Sequence, residues 1–264
     1  MVLTVKDAAN TTKSIATSTV GGAEVPYNLL ESPWLLRASR GLESSYTVVR
    51  LLGRNPAVDT TQEDLWTAGG SMTYIGAATT LTIVSGDAAD ASAGTGARTV
   101  TIWGLSGAYV EQSETVTMNG TTSVGTSASF LRVYRAEVAT AGSAGANVGL
   151  ITIKSGATAL AEIAVGDNRA YMTQYTVPAG KTASVVSYYG TAQAALGLQY
   201  TLFARSFTSQ VFIPRHRIEV FEGTVFVREL YEIVPEKSDI VLRALRSVGS
   251  GAIVASGGVT LVLA

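Results

Sequence analysis

His216 is the only histidine of the chain and the first side chain to consider for acid–base or metal chemistry. It stands in the run Pro214-Arg215-His216-Arg217, just before an alternating strand pattern. Histidine catalysis needs an orienting carboxylate and a reactive hydroxyl nearby, and histidine metal sites use several ligands. The sequence indicates neither arrangement, so we interpret His216 as a surface or interface residue. Arg215 and Arg217 then form a small solvated basic spot that can also meet a carboxylate of a partner.

Carboxylates that could form the catalytic pair of a glycosidase occur in two stretches. The first stretch contains Glu111 and Glu114. The second stretch contains four glutamates in or beside alternating strand patterns: Glu219, Glu222, Glu229 and Glu232. A catalytic pair must meet across a cleft, whereas Glu111 and Glu114 point to opposite faces of a regular strand because their separation is odd. We interpret these glutamates as the solvated faces of sheets and predict no catalytic residue.

Short polar loops could form two other kinds of site, one for calcium and one for phosphate. Asp87 with Asp90, and Asp167 with Asn168, could bind calcium, but neither loop has the dense alternation of oxygen ligands that calcium loops show. We interpret these residues as turn formers. The run Gly94-Thr95-Gly96 lacks the lysine and helix of a phosphate-binding loop and is interpreted as a flexible hairpin tip. With no cysteine available either, we predict no metal site and no cofactor.

Aromatic side chains could stack on sugar rings if several were exposed together. The candidates are Trp34, Trp66, Trp103, Tyr188 and Tyr189. Tryptophans so far apart in sequence are more typical of caps on hydrophobic cores or of interfaces. A glycan-binding groove therefore remains an alternative that needs Trp103, Tyr188 or Tyr189 exposed together.

The elements that must position these side chains are β-strands. Residues 97–124 contain two runs with the period-two pattern of half-buried strands, and Asn119-Gly120 predicts a two-residue hairpin turn after the second run. Similar runs, separated by glycine, serine, alanine and aspartate, continue to the end of the chain, and Glu222-Gly223 predicts another tight hairpin. This spacing predicts an all-β chain of antiparallel β-sandwich or jelly-roll-like regions.

The first 70 residues differ from this pattern. Residues 14–27 are small and polar, and Gly21, Gly22 and Pro26 disfavour regular structure there, although 46–52 is a credible strand. We predict an extended, mostly irregular arm over 1–70, with an irregular edge of the sandwich as the alternative. A break at 166–168 predicts a β-sandwich-like domain over 71–165 and a jelly-roll-like domain over 166–264, and whether they share one core stays open.

Composition limits the classes of partner. Hydrophobic residues make up 47% of the chain and charged residues only 15%, which is below the usual quarter. A surface so poor in charge is common where neighbouring subunits cover it, and also in ordinary β-sandwiches. The net charge of −1 creates no field for nucleic acid or an anionic membrane. No apolar leader and no uninterrupted apolar span occur, so we predict a protein that is made in a cytoplasm and does not enter membranes.

Several runs resemble structural proteins of tailed bacteriophages. They are GRNPAVDTTQEDLWTAGG at 53–70, GTGARTV at 94–100, SETVTMNG at 113–120, FLRVYR at 130–135, VPAGK at 177–181 and EKSDI at 236–240. The similarity covers most of residues 50–264 and includes no catalytic residue. It implies a β-rich protein of the virus particle, of the capsid decoration (cement) kind, which is often a trimer bound at junctions between capsomers.

The expected function is therefore non-enzymatic. The protein is predicted to bind the outer surface of a capsid, bridge neighbouring major capsid subunits and self-associate as a homotrimer on the particle, after synthesis in the host cytoplasm. We predict that six residues dock on the shell, the apolar ones by burial and the arginines by pairing with shell carboxylates. They are Trp34, Leu35, Leu36, Arg37, Arg40 and Arg54. The alternatives are a tail, baseplate or fibre component that binds a host glycan, and a hydrolase with two facing carboxylates.

Overall fold

The computed structural model describes residues 2–6, 12–20, 23–26, 45–191, 197–221 and 225–264. The chain forms two compact units, Met1–Val48 and Val49–Ala264. In the first unit, β1 (Val2–Lys6), β2 (Thr12–Val20) and β3 (Ala23–Pro26) pair in that order as an antiparallel sheet. Residues 12–20 and 23–26, predicted to be irregular, are thus paired strands. Five of the docking residues lie outside the described residues: Trp34, Leu35, Leu36, Arg37 and Arg40.

The remaining strands follow without a helix among the described residues. In chain order they are β4 (Thr47–Val58), β5 (Glu63–Asp64), β6 (Thr79–Ser85), β7 (Ala97–Leu105), β8 (Glu111–Thr117), β9 (Val124–Phe130), β10 (Arg132–Ala141), β11 (Ile151–Ser155), β12 (Thr158–Ile163), β13 (Tyr175–Thr176), β14 (Ala183–Thr191), β15 (Gly197–Arg205), β16 (Phe212–Phe221), β17 (Val225–Val234), β18 (Asp239–Val248) and β19 (Ile253–Leu263). The described ladders are antiparallel, which confirms the predicted all-β, sandwich-like fold. The described part of the chain contains no helix long and apolar enough to cross a membrane.

Strands β6–β12 form the inserted sandwich. One of its sheets has the order β10-β7-β8 and the other has the order β12-β11-β6-β9. Alternate side chains face the space between the sheets, such as Val100 and Ile102 on β7 and Leu81 and Ile83 on β6, all four fully buried. Burial of one face in this way is what the period-two pattern predicts.

Strands β4, β5 and β13–β19 form the split sandwich. Its sheets have the orders β13-β18-β15-β16, with β5 paired to β18, and β17-β14-β19-β4. Leu51, Val58 and Leu65 pack in one core with side chains of residues 175–263. The core of the inserted sandwich instead extends from Trp66 to Met172. In chain order, β4 and β5 therefore belong to the split sandwich, β6–β12 form the inserted sandwich, and β13–β19 complete the split sandwich.

This order bears on the predicted arm. Strand β4 lies within the predicted 1–70 segment but is an edge strand of the split sandwich, so residues 49–65 belong to the second unit. The three-part division at 70 and 166 stays a prediction.

The strands on either side of each predicted hairpin turn lie in different sheets. Strand β8 pairs with β7, while β9 pairs with β6, so Asn119-Gly120 connects the two sheets of the inserted sandwich. Gly120 has a φ of 61° and donates its N–H to the carbonyl of Asp90, which docks the turn on the loop after β6. Strands β16 and β17 likewise lie in opposite sheets of the split sandwich, and Glu222-Gly223 between them lies outside the described residues. The predicted hairpin pairing of these strands is wrong in both cases, because alternation shows which face of a strand is buried but not which strand it pairs with.

Candidate functional site

Three arginines and three aromatic rings alternate where the inserted and split sandwiches meet. The order is Arg132, Tyr74, Arg205, Phe212, Arg243 and Phe203. Successive distances from guanidinium carbon to ring centroid are 5.2, 4.2, 4.8, 4.6 and 5.0 Å. A cation stacked on the face of an aromatic ring is attracted by the quadrupole of the ring, and the attraction is stronger where water is partly excluded. This cation–aromatic ladder holds the first residue of β16, Phe212, between two guanidinium groups.

Two buried carboxylates neutralise most of the ladder's charge. Asp239 accepts hydrogen bonds from Arg132 Nε at 3.1 Å and from Arg205 Nε at 2.8 Å. Asp64 accepts from Arg243 Nε at 2.5 Å. Burial raises the pKa of Asp64, and the guanidinium of Arg243 opposes that shift. Buried charges are tolerated only when paired in this way, so the network fixes strands of both sandwiches relative to one another.

The edge of the split sandwich is held by contacts between its two sheets. Arg215 of β16 pairs with Glu232 of β17 at 3.4 Å. His216 Nδ1 lies 2.9 Å from the hydroxyl of the fully buried Tyr188. His216 is thus half-buried and bonded to a core tyrosine, and its ring joins β16 to β14 of the opposite sheet. These contacts place two terminal strands, β16 and β17, side by side.

Strand β17 leaves apolar side chains in water. Val227, Tyr231 and Ile233 are 64%, 77% and 61% exposed. They share one face because they are separated by even numbers of residues. We call these three side chains the outer strip.

A second apolar surface lies on loops at the ends of β7 and β15. The rings of Tyr109 and Phe207 meet edge to face with centroids 5.7 Å apart, and Lys237 Nζ lies 5.5 Å from the centre of the Phe207 ring. Val110 is 58% exposed and Phe207 is 49% exposed. The carbonyl of Tyr109 accepts a hydrogen bond from the N–H of Ala179, which ties the loop to the split sandwich. We call Tyr109, Val110, Phe207 and Lys237 the loop cluster.

Arg54 is the predicted docking residue that the structure describes. It is exposed on β4 and lines an open groove of about 350 Å³ with Leu52, Asp167 and Tyr171. No ion pair of Arg54 occurs among the described residues. Its role in docking stays a prediction.

The two glutamates of β8 point to opposite faces, as the strand period predicts. Glu111 accepts hydrogen bonds from the hydroxyls of Tyr134 at 3.3 Å and Tyr175 at 3.4 Å. Burial raises the pKa of both phenols, and the carboxylate of Glu111 adds to the shift. Glu114 instead accepts from backbone N–H groups of β9. The described residues contain no cluster of three or more histidine, aspartate or glutamate side chains that could hold a metal ion.

Asp90 closes the loop after β6. Its carboxylate accepts hydrogen bonds from Ser85 Oγ at 2.6 Å and from the N–H groups of Ala97 at 2.7 Å, Val148 at 2.9 Å and Gly149 at 2.8 Å. Burial alone would raise the pKa of Asp90, but these donors outweigh it and lower the pKa. The Asp90 carboxylate therefore stabilises the loop, as predicted for a turn-forming residue.

The glycine run after Asp90 is packed and does not form a flexible tip. A Cβ on Gly94 would lie 2.0 Å from the carbonyl oxygen of Ala89, and one on Gly96 would lie 2.1 Å from Asp90 Oδ1. Gly96 is buried. Glycine is required at both positions because the loop backbone approaches them too closely for a side chain. The prediction of a flexible hairpin tip is wrong.

Among the described aromatic residues proposed for glycan binding, Trp103 and Tyr188 are not exposed together in one groove, and Trp34 lies outside the described residues. Tyr188 is fully buried, and its ring is in the core of the split sandwich. Trp103 is half-buried on the inserted sandwich, where the guanidinium of Arg135 lies 4.4 Å from its ring centre. Trp66 is 6% exposed and packs in a hydrophobic core, as predicted.

Sequence patterns did not reveal the cation–aromatic ladder. One signal for it exists: Arg132, Arg205 and Arg243 each interrupt or end a run of buried strand residues. An arginine placed there needs a carboxylate or a ring nearby. The outer strip could be read from alternation in β17, but only the tertiary structure shows that this face stays uncovered in the described chain.

Comparison of the sequence with protein-family models gives no match, and comparison with curated proteins gives none either. Among solved structures, the chain is similar to that of the infectious bursal disease virus Gx strain, with 10% identity, a TM-score of 0.25, and coverage of 83% of this chain and 72% of that chain. Particles with T=1 symmetry derived from the same virus give 11% identity and a TM-score of 0.25, with coverage of 83% and 69%. Values this low establish neither a family nor a shared topology.

Proposed function

We propose that this chain is a non-enzymatic structural protein of a virus particle. In the finer form of the proposal, it is a decoration protein of a tailed bacteriophage that binds the outer surface of the capsid and bridges neighbouring major capsid subunits. The resemblance to phage structural proteins, which covers most of residues 50–264, supports this proposal. The low charge, 15% of residues, also supports it, because a surface with few charges is suited to coverage by neighbours.

The observation that carries the proposal is the amount of large apolar side chain left in water on the second unit. Val110 and Phe207 are 58% and 49% exposed, and the ring of Phe207 meets the ring of Tyr109 edge to face. Large apolar side chains exposed together on a protein surface mark a contact site. In the loop cluster, Phe207 also carries a lysine ammonium beside it, so the surface offers an apolar anchor next to one positive charge.

We assign shell binding to the loop cluster. Full burial of one large apolar side chain contributes about 1.5–3 kcal/mol, so Val110 and Phe207 together give a weak contact. Weak contacts add up when linked copies bind a repeating surface, since the second contact forms at a high effective concentration. The homotrimer implied by the phage resemblance would supply this linkage. Arg54 and the five docking residues before Thr47 would contribute further contacts.

Co-sedimentation with shells assembled from the major capsid protein of the same particle tests the proposal. The variants V110E and F207E place carboxylates in the loop cluster, and each should raise the dissociation constant for shells about tenfold or more, since 1.4 kcal/mol corresponds to tenfold in affinity. The control is V165E, because Val165 is 63% exposed on the inserted sandwich and lies outside the cluster. Equal binding by V110E, F207E and V165E would refute the assignment to this cluster.

The same assay tests the N-terminal docking residues. Deletion of residues 1–46 leaves β4 and both cores of the second unit intact. We expect circular dichroism of the shortened protein to keep its β signal and shell binding to be lost. Undiminished binding would contradict a docking role for residues 34–40. Failure of full-length protein to bind the shell at any concentration would refute the proposed function itself.

A further inference from the structure

Strand β17 is a terminal strand of the split sandwich whose free edge has no partner among the described strands. It pairs with β14 on one side only. The main-chain N–H and C=O groups along such an edge can pair with another strand unless the protein protects the edge. Proline and charged side chains are the usual protection, and β16 has them at Pro214, Arg215 and Arg217. Residues 225–234 contain no proline. Their charged residues are Arg228, Glu229 and Glu232, and Glu232 is paired with Arg215 of the same copy.

We propose that β17 pairs antiparallel with β17 of a second copy of this chain, about a two-fold axis at residue 230. In this register Val227 lies opposite Ile233 of the second copy, and Glu229 lies opposite Tyr231 of the second copy. Side chains directly opposite in an antiparallel pair have Cβ atoms about 5 Å apart. The outer strips of both copies therefore cover each other with two valine–isoleucine contacts, one on each side of the axis.

Neighbouring registers are less favourable. An axis at Glu229 would place that carboxylate opposite its own copy, and like charges directly opposite one another are destabilising. An axis at Tyr231 would place Val227 opposite residue 235, which lies beyond the end of β17 at Val234. Of these three axes, the one at residue 230 is the one that gives both Val227 and Ile233 an apolar partner and also separates the glutamates.

The internal geometry of β17 is compatible with this axis. The pairing of β17 with β14 shifts register between the pairs Val185–Glu232 and Ser187–Glu229. The pairing of β14 with β19 shifts at the same two residues of β14, so the irregularity is one that β14 carries in both pairings. Val227, Glu229, Tyr231 and Ile233 are exposed on both sides of it, so the outer face of β17 continues across the proposed axis. The Arg215–Glu232 ion pair stays within each copy.

The contact is small. Stable complexes bury about 1,200–2,000 Å² in total, and one strand pair buries less, so we expect a dimer that forms reversibly with concentration. Light scattering over a concentration series in the absence of shells measures it. The Y231E variant places a carboxylate opposite Glu229 of the second copy on each side of the axis, and like charges directly opposite one another are destabilising. Y231E should therefore raise the dimer dissociation constant about tenfold or more. V165E, at an exposed valine outside β17, is the control and should dimerise like the parent protein.

Cysteine pairs test the register, since the chain has no cysteine of its own. Residues opposite each other in the proposed pair fall within the Cα separations of about 4.4–6.8 Å that disulfides span. Oxidised V227C/I233C should therefore form a covalent dimer, whereas V227C alone should not, because residue 227 lies far from its own copy in this register. Equal cross-linking of the single and double variants would overturn the register.

Three results would overturn the proposed pairing as a whole. They are a monomer at all concentrations, a trimer unaffected by Y231E, and a dimer unaffected by Y231E. Shell binding is measured separately through the loop cluster, so loss of dimerisation in Y231E without loss of shell binding refutes neither proposal, and a failed dimer test leaves the proposed function intact.

Discussion

The carboxylate of Asp90 is expected to be one of the largest single contributors to the stability of the inserted sandwich, and D90N tests this. Both oxygens are buried and each accepts two hydrogen bonds. Oδ1 accepts from the N–H groups of Ala97 and Val148, and Oδ2 accepts from Ser85 Oγ and the N–H of Gly149. Asparagine keeps the shape but replaces one oxygen with an NH₂ donor.

The cost follows from which oxygen is replaced. With the amide nitrogen at the Oδ2 position, the Ser85 hydroxyl can rotate to accept, but the N–H of Gly149 faces another donor. With the amide nitrogen at the Oδ1 position instead, the N–H groups of Ala97 and Val148 both lose their acceptor, so this placement costs more free energy. One orphaned buried donor costs about 1–3 kcal/mol, and loss of the charge weakens the remaining bonds by about 1 kcal/mol or more. We expect D90N to lower the free energy of unfolding by about 3 kcal/mol at neutral pH.

The effect should depend on pH with a definite sign. The donors around Asp90 hold its pKa in the folded protein below the usual 3.8. Its stabilisation is therefore complete above pH 3.8 and is lost as the pH falls through the lowered pKa of the folded state. Asparagine does not titrate, so the stability difference between the parent protein and D90N should shrink below pH 3.8.

Urea unfolding followed by tryptophan fluorescence measures this difference, since Trp66 and Trp103 belong to the inserted part of the chain. The matched control is D87N, because the half-buried Asp87 accepts one hydrogen bond in its own turn, from the N–H of Ala89 at 2.8 Å. We expect D87N to cost about 1 kcal/mol or less. A loss below 1 kcal/mol in D90N, or a gap that stays constant through acid pH, would refute the reasoning.

Two further changes follow from the same contacts. D239N removes the negative charge that pairs with both Arg132 and Arg205. Breaking a buried ion pair costs about 3–5 kcal/mol, so D239N should lower the thermal unfolding temperature at neutral pH. An unchanged transition would show that the cation–aromatic ladder contributes little to stability. G120A forces an L residue to a φ of 61° and brings its Cβ to 2.9 Å from the Cα of Ala88, so we expect a loss of about 1–2 kcal/mol or more; equal stability in urea would contradict this.

Local patterns in the sequence predicted the all-β fold and the faces of individual strands. On β8, the odd spacing of Glu111 and Glu114 predicted opposite faces, and the hydrogen bonds agree. The turn role of Asp90 was also predicted, although its four donors were not, since two of them come from residues 58 and 59 positions further along the chain. Contacts at that separation leave no local pattern.

For the candidate site, the alternation of β17 could be predicted from the sequence, but its position at a sheet edge could not. Of the six predicted docking residues, Arg54 is the one that lies among the described residues. The loop cluster was not predicted, because Val110 and Phe207 come from loops almost a hundred residues apart. Exposure of such side chains depends on what the rest of the chain covers.

By itself, the sequence determined that the chain is built of antiparallel strands, since a period of two records which side of each strand is buried. The tertiary structure decided the pairing of those strands: Asn119-Gly120 joins two sheets, and residues 49–65 complete a sandwich whose other strands begin after residue 172. The physical reason is that the main chain offers the same donors and acceptors to every possible neighbour. Only the packing of complete cores and buried charges, such as Asp64 with Arg243, selects one arrangement.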